Sequence, residues 1–243
     1  MPTPYDIAIA AVRDETPMDR TLRLPVPSGA EAAFRFVPGQ FVTLSDPGDD
    51  VQPPRKRAYS ISSSPTESGP GGFVEVTVRD MGEFGARLYR FPAGKHVQVL
   101  SPRGKFTLDP AAEDELLLLA GGSGVTPFRA FARFLSATGA TRPTCLLYSG
   151  QLPEQMIFDA EFRALAARHP WFRYVPTVTR LAPEAPYVGR RGRIDPALVR
   201  GQVRDPARVL AYACGPTAFV TGALELARAA GIPEARTRKE VWG

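Results

Sequence analysis

Three short segments carry residue types that bind and react. Arg57-Ala58-Tyr59-Ser60 sets a guanidinium, an aromatic ring and a hydroxyl close together on one stretch of chain. A guanidinium offers a planar fork to a dianion. Alternation along an extended strand puts Arg57 and Tyr59 on the same side, where a face-on ring contact adds about 0.5–1.5 kcal/mol beyond area burial. Gly121-Gly122-Ser123-Gly124-Val125-Thr126-Pro127 follows the apolar run Leu116 to Ala120. That order reads as a buried strand turning sharply into a helix, with Pro127 suited to the first helical turn and the backbone N–H groups free to hold phosphate. Cys214-Gly215-Pro216 ends a further apolar strand, Arg208 to Ala213, and precedes another helix. No His stands near Cys214 in sequence to draw off its proton, so the thiol is expected to position a ligand and not to attack one.

The elements that must hold these segments differ between the two halves. Up to about Leu108 the pattern has period two: Leu22, Leu24 and Val26 alternate with polar or Pro positions, and Val74, Val76 and Val78 with Glu75, Thr77 and Arg79. These are half-buried antiparallel strands, and Ile7 to Val12, Phe41 to Leu44, Ala58 to Ile61 and Val97 to Leu100 are further candidates. About six strands without a long intervening helix suggest a small closed barrel. After an acidic turn, Asp109 to Glu115, Leu116 to Leu119 is apolar on both faces, as a strand covered by helices must be. The remainder alternates strand and helix. Thr144 to Tyr148, Arg173 to Thr179 and Arg208 to Ala213 complete a parallel sheet, Phe158, Phe162 and Leu165 form one helical face, Val220, Leu224 and Ala227 another, and Gly231 ends the second helix. Ligands of such sheets bind at the carboxyl ends of the strands, where the Gly121 and Cys214 loops fall.

Composition narrows the class. The 243 residues, 44% apolar and 23% charged, suit a globular protein of two domains. No apolar run is long enough to cross a bilayer, and Met1 to Glu15 lacks the features of a signal peptide, so a cytoplasmic protein is expected. Cys145 and Cys214 are too few for an iron–sulfur cluster, which must sit on another chain if the protein works with one. His96 and His169 are isolated, and no metal is expected. The net charge of +5 gathers at Arg55, Lys56 and Arg57, at Arg190, Arg191 and Arg193, and at Arg236, Arg238 and Lys239. Without interleaved aromatics these clusters do not read as a nucleic-acid surface, but they suit an acidic protein partner.

Taken in order, the segments resemble the ferredoxin-NADP reductase superfamily over nearly the whole chain. Arg57-Ala58-Tyr59-Ser60 matches its Arg-x-Tyr-Ser motif, and Pro38-Gly39-Gln40-Phe41 resembles its Pro-Gly-Gln-aromatic strand. The resemblance implies that Arg57 meets the flavin phosphate, Tyr59 lies on the isoalloxazine ring and Ser60 bonds near flavin N5. Gly82-Glu83-Phe84-Gly85-Ala86, after Val76 and Val78, resembles the second flavin segment, a helix N-terminus that receives the FAD pyrophosphate; FAD is expected ahead of FMN. Gly85 stands where many relatives carry Ser or Thr. Gly122, Gly124, Val125, Thr126 and Pro127 resemble the nicotinamide dinucleotide loop, Pro127 replacing the third glycine of the ordinary dehydrogenase fingerprint. Cys214, Gly215 and Pro216 resemble the Cys-Gly-Pro motif beside the nicotinamide. Glu240 and Trp242 resemble a closing acidic and aromatic pair, with Trp242 over the flavin face opposite Tyr59; an ordinary terminal strand is the competing view.

The implied fold is an FAD-binding six-stranded antiparallel Greek-key barrel, residues 1–110, followed by a Rossmann-like parallel-sheet NAD(P)-binding domain, 111–243. The implied reaction passes a hydride from NADPH or NADH to FAD N5, held about 3–3.5 Å apart, with Ser60, Cys214, Glu240 and Trp242 at the reacting centre. Electrons then go to ferredoxin, flavodoxin or a similar small acidic protein. Ser149-Gly150-Gln151 lacks an early carboxylate for a free ribose hydroxyl, which leans toward NADPH, with Thr179, Arg180, Arg190 and Arg191 as the candidates for its 2'-phosphate. The alternatives are an oxygenase reductase component, a free-flavin reductase, or a flavin-bearing regulatory or electron-entry subunit without nucleotide chemistry, against which the intact glycine loops count. A monomer or weak homodimer is expected.

Overall fold

Alternation places Leu22, Leu24, Val74, Val76 and Val78 in the interior, and all are fully buried in the computed structural model. The structure describes residues 3–51, 54–109, 112, 114–187 and 189–242; the boundary expected at 110/111, and part of the Asp109 to Glu115 turn, lie outside the described residues. The chain forms two compact units, Met1–Leu108 with Arg129–Thr138, and Asp109–Phe128 with Gly139–Gly243.

In the first unit the strands are β1 (Tyr5–Ala8), β2 (Ala11–Thr16), β3 (Asp19–Pro25), β4 (Phe41–Ser45), β5 (Lys56–Ser60), β6 (Phe73–Arg79) and β7 (His96–Arg103), with helix α1 (Gly82–Tyr89) between β6 and β7. They form antiparallel sheets ordered β1-β7-β4-β5 and β2-β3-β6, and an isolated bridge joins Ile61 to Val76. Each of the six expected strands is present, the first in two pieces. The break has a cause: the Ile9 N–H donates to the Lys95 carbonyl, but the next N–H, of Ala10, donates to the Arg23 carbonyl, so the chain passes from one sheet to the other.

Strand β6 departs from half-burial, because Glu75 and Thr77 are buried along with the valines. Both polar groups are satisfied. Thr77 shares a hydrogen bond of 2.8 Å with Thr21, and Glu75 accepts from Arg23 at 2.9 Å and from Arg129 at 2.7 Å. Burial alone would raise the Glu75 pKa, but the two guanidiniums outweigh it and hold the carboxyl below its ordinary value. That stabilisation is present above the ordinary carboxylate range and is lost as pH falls through the lowered pKa.

The second unit is built on β8 (Glu115–Gly121), β9 (Thr144–Gly150), β10 (Phe172–Val178), β11 (Arg190–Arg191), β12 (Val209–Gly215) and β13 (Thr237–Val241), a parallel sheet ordered β11-β10-β9-β8-β12-β13. Its helices are α2 (Thr126–Ala137), of which residues from Arg129 onward belong to the first unit, α3 (Asp159–Arg168), α4 (Pro196–Arg200) and α5 (Thr217–Ala229). Leu116 to Ala120 are almost wholly buried, as a strand covered on both faces requires.

The expected helical face of Phe158, Phe162 and Leu165 is corrected at its first member. Phe158 precedes α3 as its N-cap with φ of 61°, the left-handed region, and its ring meets Phe162 edge-on at 6.3 Å. It packs on the helix without belonging to it. Gly231, φ of 89°, follows the C-cap of α5, the left-handed position that ends a helix at glycine. Strand β13 carries Glu240, and Trp242 stands immediately beyond it.

Candidate functional site

Strand β5 pairs with β4 in the register Leu44 with Arg57, Val42 with Tyr59, and Phe41 with Ser60. Arg57 is exposed, Tyr59 half-buried against the core of the first unit, and Ser60 buried. Burial pushes the Tyr59 hydroxyl up to about 12, against the opposing charge of Arg57. No side-chain partner holds the Arg57 guanidinium among the described residues, which leaves its fork available to an anion. Its neighbour Arg55 is committed, to Asp49 at 2.7 Å and Glu83 at 2.5 Å.

Helix α1 begins at Gly82, φ of 64°, after Met81, whose side chain makes no cap. Gly82 and Glu83 are exposed, and no side chain caps the first-turn N–H groups, which a helix leaves without intrahelical partners. Phe84 turns into the core and Ala86 is half-buried. At Gly85 a Cβ would stand 2.7 Å from the Arg79 carbonyl oxygen, so α1 packs on the end of β6 more closely than a larger residue permits. Gly85→Ser is therefore expected to lower stability by about 1–3 kcal/mol, measured by urea unfolding, and not to add a useful hydrogen bond. The side chains of Val76 and Val78 lie in the core, so a ligand could meet these two residues only through their backbone.

The two glycine loops of the second unit lie at the carboxyl ends of adjacent strands, β8 and β12, where the strand order reverses. This switch point is where open parallel sheets bind ligands. Residues Gly122–Val125 form a 3-10 turn that runs into α2 at Thr126, and the Thr126 hydroxyl donates to the Ser123 carbonyl at 2.9 Å. Val125, Thr126 and Pro127 are buried, whereas Gly122, φ of 54°, is partly exposed. A Cβ on Gly124 would lie 2.2 Å from the Cys214 carbonyl oxygen and 2.6 Å from Gly215 Cα. The Gly121 and Cys214 loops thus touch backbone to backbone. Pro216 is the N-cap of α5 and offers no side-chain cap, so that helix start is also open.

Cys214 is opposite Glu240 in the β12–β13 register, and the Trp242 N–H donates to the Gly215 carbonyl at 3.1 Å. These residues, brought together from distant sequence, form one group. The Cys214 thiol is pushed well above its ordinary pKa, first by burial and then by the Glu240 charge, while the Trp242 side chain and the Gly215 N–H pull weakly the other way. A thiol so held stays protonated, in keeping with a positioning role.

At the other side of the same sheet end, the Thr179 hydroxyl donates to the Gly150 carbonyl at 3.1 Å and the Arg180 N–H to the Gln151 carbonyl at 2.9 Å. Arg190 and Arg191 pair through β11 with Thr177 and Val178. The three candidate arginines are not equivalent. Arg190 is bound to Asp195 and Arg191 to the Ala182 carbonyl at 2.9 Å, whereas the Arg180 side chain is exposed and has no partner among the described residues.

Two residues that support this architecture were not legible as such. Glu75 reads in sequence as a solvent-facing strand position, and Arg129 as one charge in a helix; the usable signal was a lone Arg inside the apolar run Phe128, Ala130, Phe131. His96 binds Asp6 at 2.9 Å on the surface. No helix among the described residues is long and apolar enough to cross a membrane.

Residues 118–225 match the family model described as the oxidoreductase NAD-binding domain. Ferredoxin–NADP reductase B of Sorangium cellulosum is 34% identical over 246 residues, covering 98% of this chain and 97% of that protein. The ferredoxin reductase component of the 3-ketosteroid-9-alpha-monooxygenase of Mycolicibacterium smegmatis is also 34% identical over 98% of this chain, which spans 65% of that longer protein. The structure of a ferredoxin NADP+ reductase from Neisseria gonorrhoeae, with bound FAD and NADP, superposes with a TM-score of 0.80 over 99% of both chains at 21% identity, a likeness of fold. With identity at this level along the full length of one relative, and the glycine loops meeting at the switch point of the sheet, the chain belongs to the ferredoxin–NADP reductase superfamily.

Proposed function

We propose that the chain is a flavin-dependent NAD(P)H oxidoreductase, residues 1–110 binding FAD and residues 111–243 the nicotinamide dinucleotide, with a one-electron acceptor protein as its partner. The observation that carries this reading is the fit of Gly124 against the Cys214–Gly215 backbone. It brings the uncapped turn that begins at Gly122 beside the uncapped start of α5 at the end of one sheet, a contact that a single Cβ on Gly124 would break. The residues of the first unit suit the other group: an uncommitted Arg57, a Tyr59 ring on the same strand face, and the uncapped start of α1.

When bound, the flavin takes two electrons from the reduced nicotinamide and releases them singly. The chain's own residues hold and orient. Arg57 binds the flavin phosphate through its fork, and the α1 N–H groups bind the second phosphate, which favours FAD over FMN. Tyr59 covers a ring face and Ser60 offers a hydroxyl to the ring edge. Gly122 to Thr126 bind the dinucleotide pyrophosphate, while Cys214 sets the depth to which the nicotinamide enters. Glu240 and Trp242, at the end of the edge strand β13, close the same group. No side chain here needs to move a proton.

The relatives' names support a ferredoxin or an oxygenase component as acceptor. The net charge of +5 suits an acidic one, and reduction of such an acceptor should weaken steeply with added salt.

The test is to supply FAD to the purified protein and compare NADPH with NADH as reductant. Because Arg180 alone of the three arginines is uncommitted, Arg180→Ala is expected to raise KM for NADPH about 10- to 100-fold and to leave NADH unchanged, the loss of one charge-assisted hydrogen bond. Equal effects on both coenzymes would remove Arg180 from the 2'-phosphate site.

A further inference from the structure

The segment that follows Ser60 is unusually constrained. Ile61, Ser62, Ser63 and Ser64 are buried almost completely although three of them are polar. Ser62 and Ser63 bond to β6 and α2, and Ser64 to the turn that follows it. The Ser62 N–H donates to the Glu75 carbonyl at 2.8 Å, and the Glu75 N–H donates to the Ser63 hydroxyl at 2.9 Å. Arg129, only 1% exposed, donates through one Nη1 both to the Glu75 carboxylate at 2.7 Å and to the Ser62 carbonyl at 3.3 Å. One turn further along the helix Arg133 binds Glu67, which in turn accepts from the Ser64 N–H at 2.7 Å in a capping box.

Burying a guanidinium and a carboxylate costs several kcal/mol per ion before their attraction offsets it, so such a pair is weak evidence of stability for its own sake. An apolar pair of similar volume would serve a core as well. What the apolar pair could not do is hold the Ser62 carbonyl.

We propose that Arg129 and Glu75 are positioning residues, which fix the backbone after Ser60 and thereby the presentation of the Tyr59 ring and the Ser60 hydroxyl to the flavin. This deepens, and rests on, the flavin-binding reading above. Neither residue touches the flavin. Their loss lets the Ser60–Ser64 backbone move while leaving the phosphate contacts of Arg57 and α1 in place, so the rate of flavin reduction falls and flavin affinity does not.

The variants are Arg129→Met, in which Glu75 retains Arg23, the conservative Arg129→Lys, and the double change Glu75→Gln with Arg129→Met, which leaves no uncompensated buried charge. Hydrogen exchange of the apoprotein reads the backbone directly, without flavin. Arg129→Met and the double variant should exchange the Ser62–Ser64 amides at least about 10-fold faster than the parent, with β8 and β9 amides unchanged. In the FAD-loaded proteins the flavin fluorescence should rise, anaerobic reduction by NADPH should slow about 10- to 100-fold, and the FAD dissociation constant should stay within about threefold. Arg129→Lys, which keeps a positive donor where Arg129 uses a single Nη1, should restore most of the rate. Folded variants with unchanged exchange, or with faster exchange but the parent's reduction rate and fluorescence, overturn the proposal. A parent protein that takes up no FAD overturns the flavin reading itself, and this inference with it, whatever the exchange shows.

Discussion

Gly124→Ala is expected to slow reduction by NADPH about 100-fold. The added Cβ would lie 2.2 Å from the Cys214 carbonyl oxygen and 2.4 Å from its carbonyl carbon. These are backbone atoms in strand β12, paired to β8 through Leu116 to Ala120 on one side and to β13 on the other, so no side chain can swing aside to relieve the clash. The loop must lift or the strand must shift. A displacement near 1 Å of a group that orients a reactant costs about 10²-fold in rate, and the overpacking itself costs about 1–3 kcal/mol of stability. Thermal unfolding followed by circular dichroism, together with stopped-flow flavin absorbance, separates the two costs. FAD affinity should not change, because Arg57, Tyr59 and α1 belong to the other unit. A variant reduced at the parent's rate would show that the Gly124–Cys214 contact has no part in placing the nucleotide.

Arg57→Ala is expected to weaken FAD binding about 10- to 150-fold, the equivalent of about 1.5–3 kcal/mol for a charge-assisted hydrogen-bonded contact. Arg57 is exposed on β5 and has no carboxylate or carbonyl partner among the described residues, unlike Arg55, Arg79 and Arg87, which bind Asp49, Asp19 and Asp46. Its removal therefore breaks no internal bond, and the melting temperature of the apoprotein should hold. Fluorescence titration of apoprotein with FAD measures the change. Arg57→Lys should recover only part of the loss, since an ammonium lacks the planar fork. An unchanged dissociation constant would assign the phosphate to other residues.

Much of the fold was legible because its strands follow simple rules. Apolar alternation at Leu22, Leu24, Val74, Val76 and Val78 located β3 and β6, and the unbroken run Leu116 to Ala120 located the central parallel strand. Helix α4 was not among the expected elements, although Asp195, which caps it, stands before Pro196 as a helix start signal. Glu75 defeated the same rule. Alternation assigns it to solvent, and the guanidiniums of Arg23 and Arg129, the latter 54 positions away, make its burial tolerable. Phe158 kept helical spacing yet lies outside the helix, since spacing cannot report the sign of φ. In the site, motifs named the loops, but the meeting of Gly124 with Cys214, and of Cys214 with Glu240 and Trp242, depends on the strand order of the sheet. The commitment of Arg190 and Arg191 to local partners likewise had no signature in spacing.

The most direct test of the account is anaerobic stopped-flow mixing of the FAD-supplemented protein with NADPH, followed at the long-wavelength flavin band. A yellow protein that bleaches in a single saturable phase, at a rate lowered by Gly124→Ala, is the expected result. A folded protein that stays colourless with FAD, or holds FAD and is not bleached by NADPH or NADH, would contradict it.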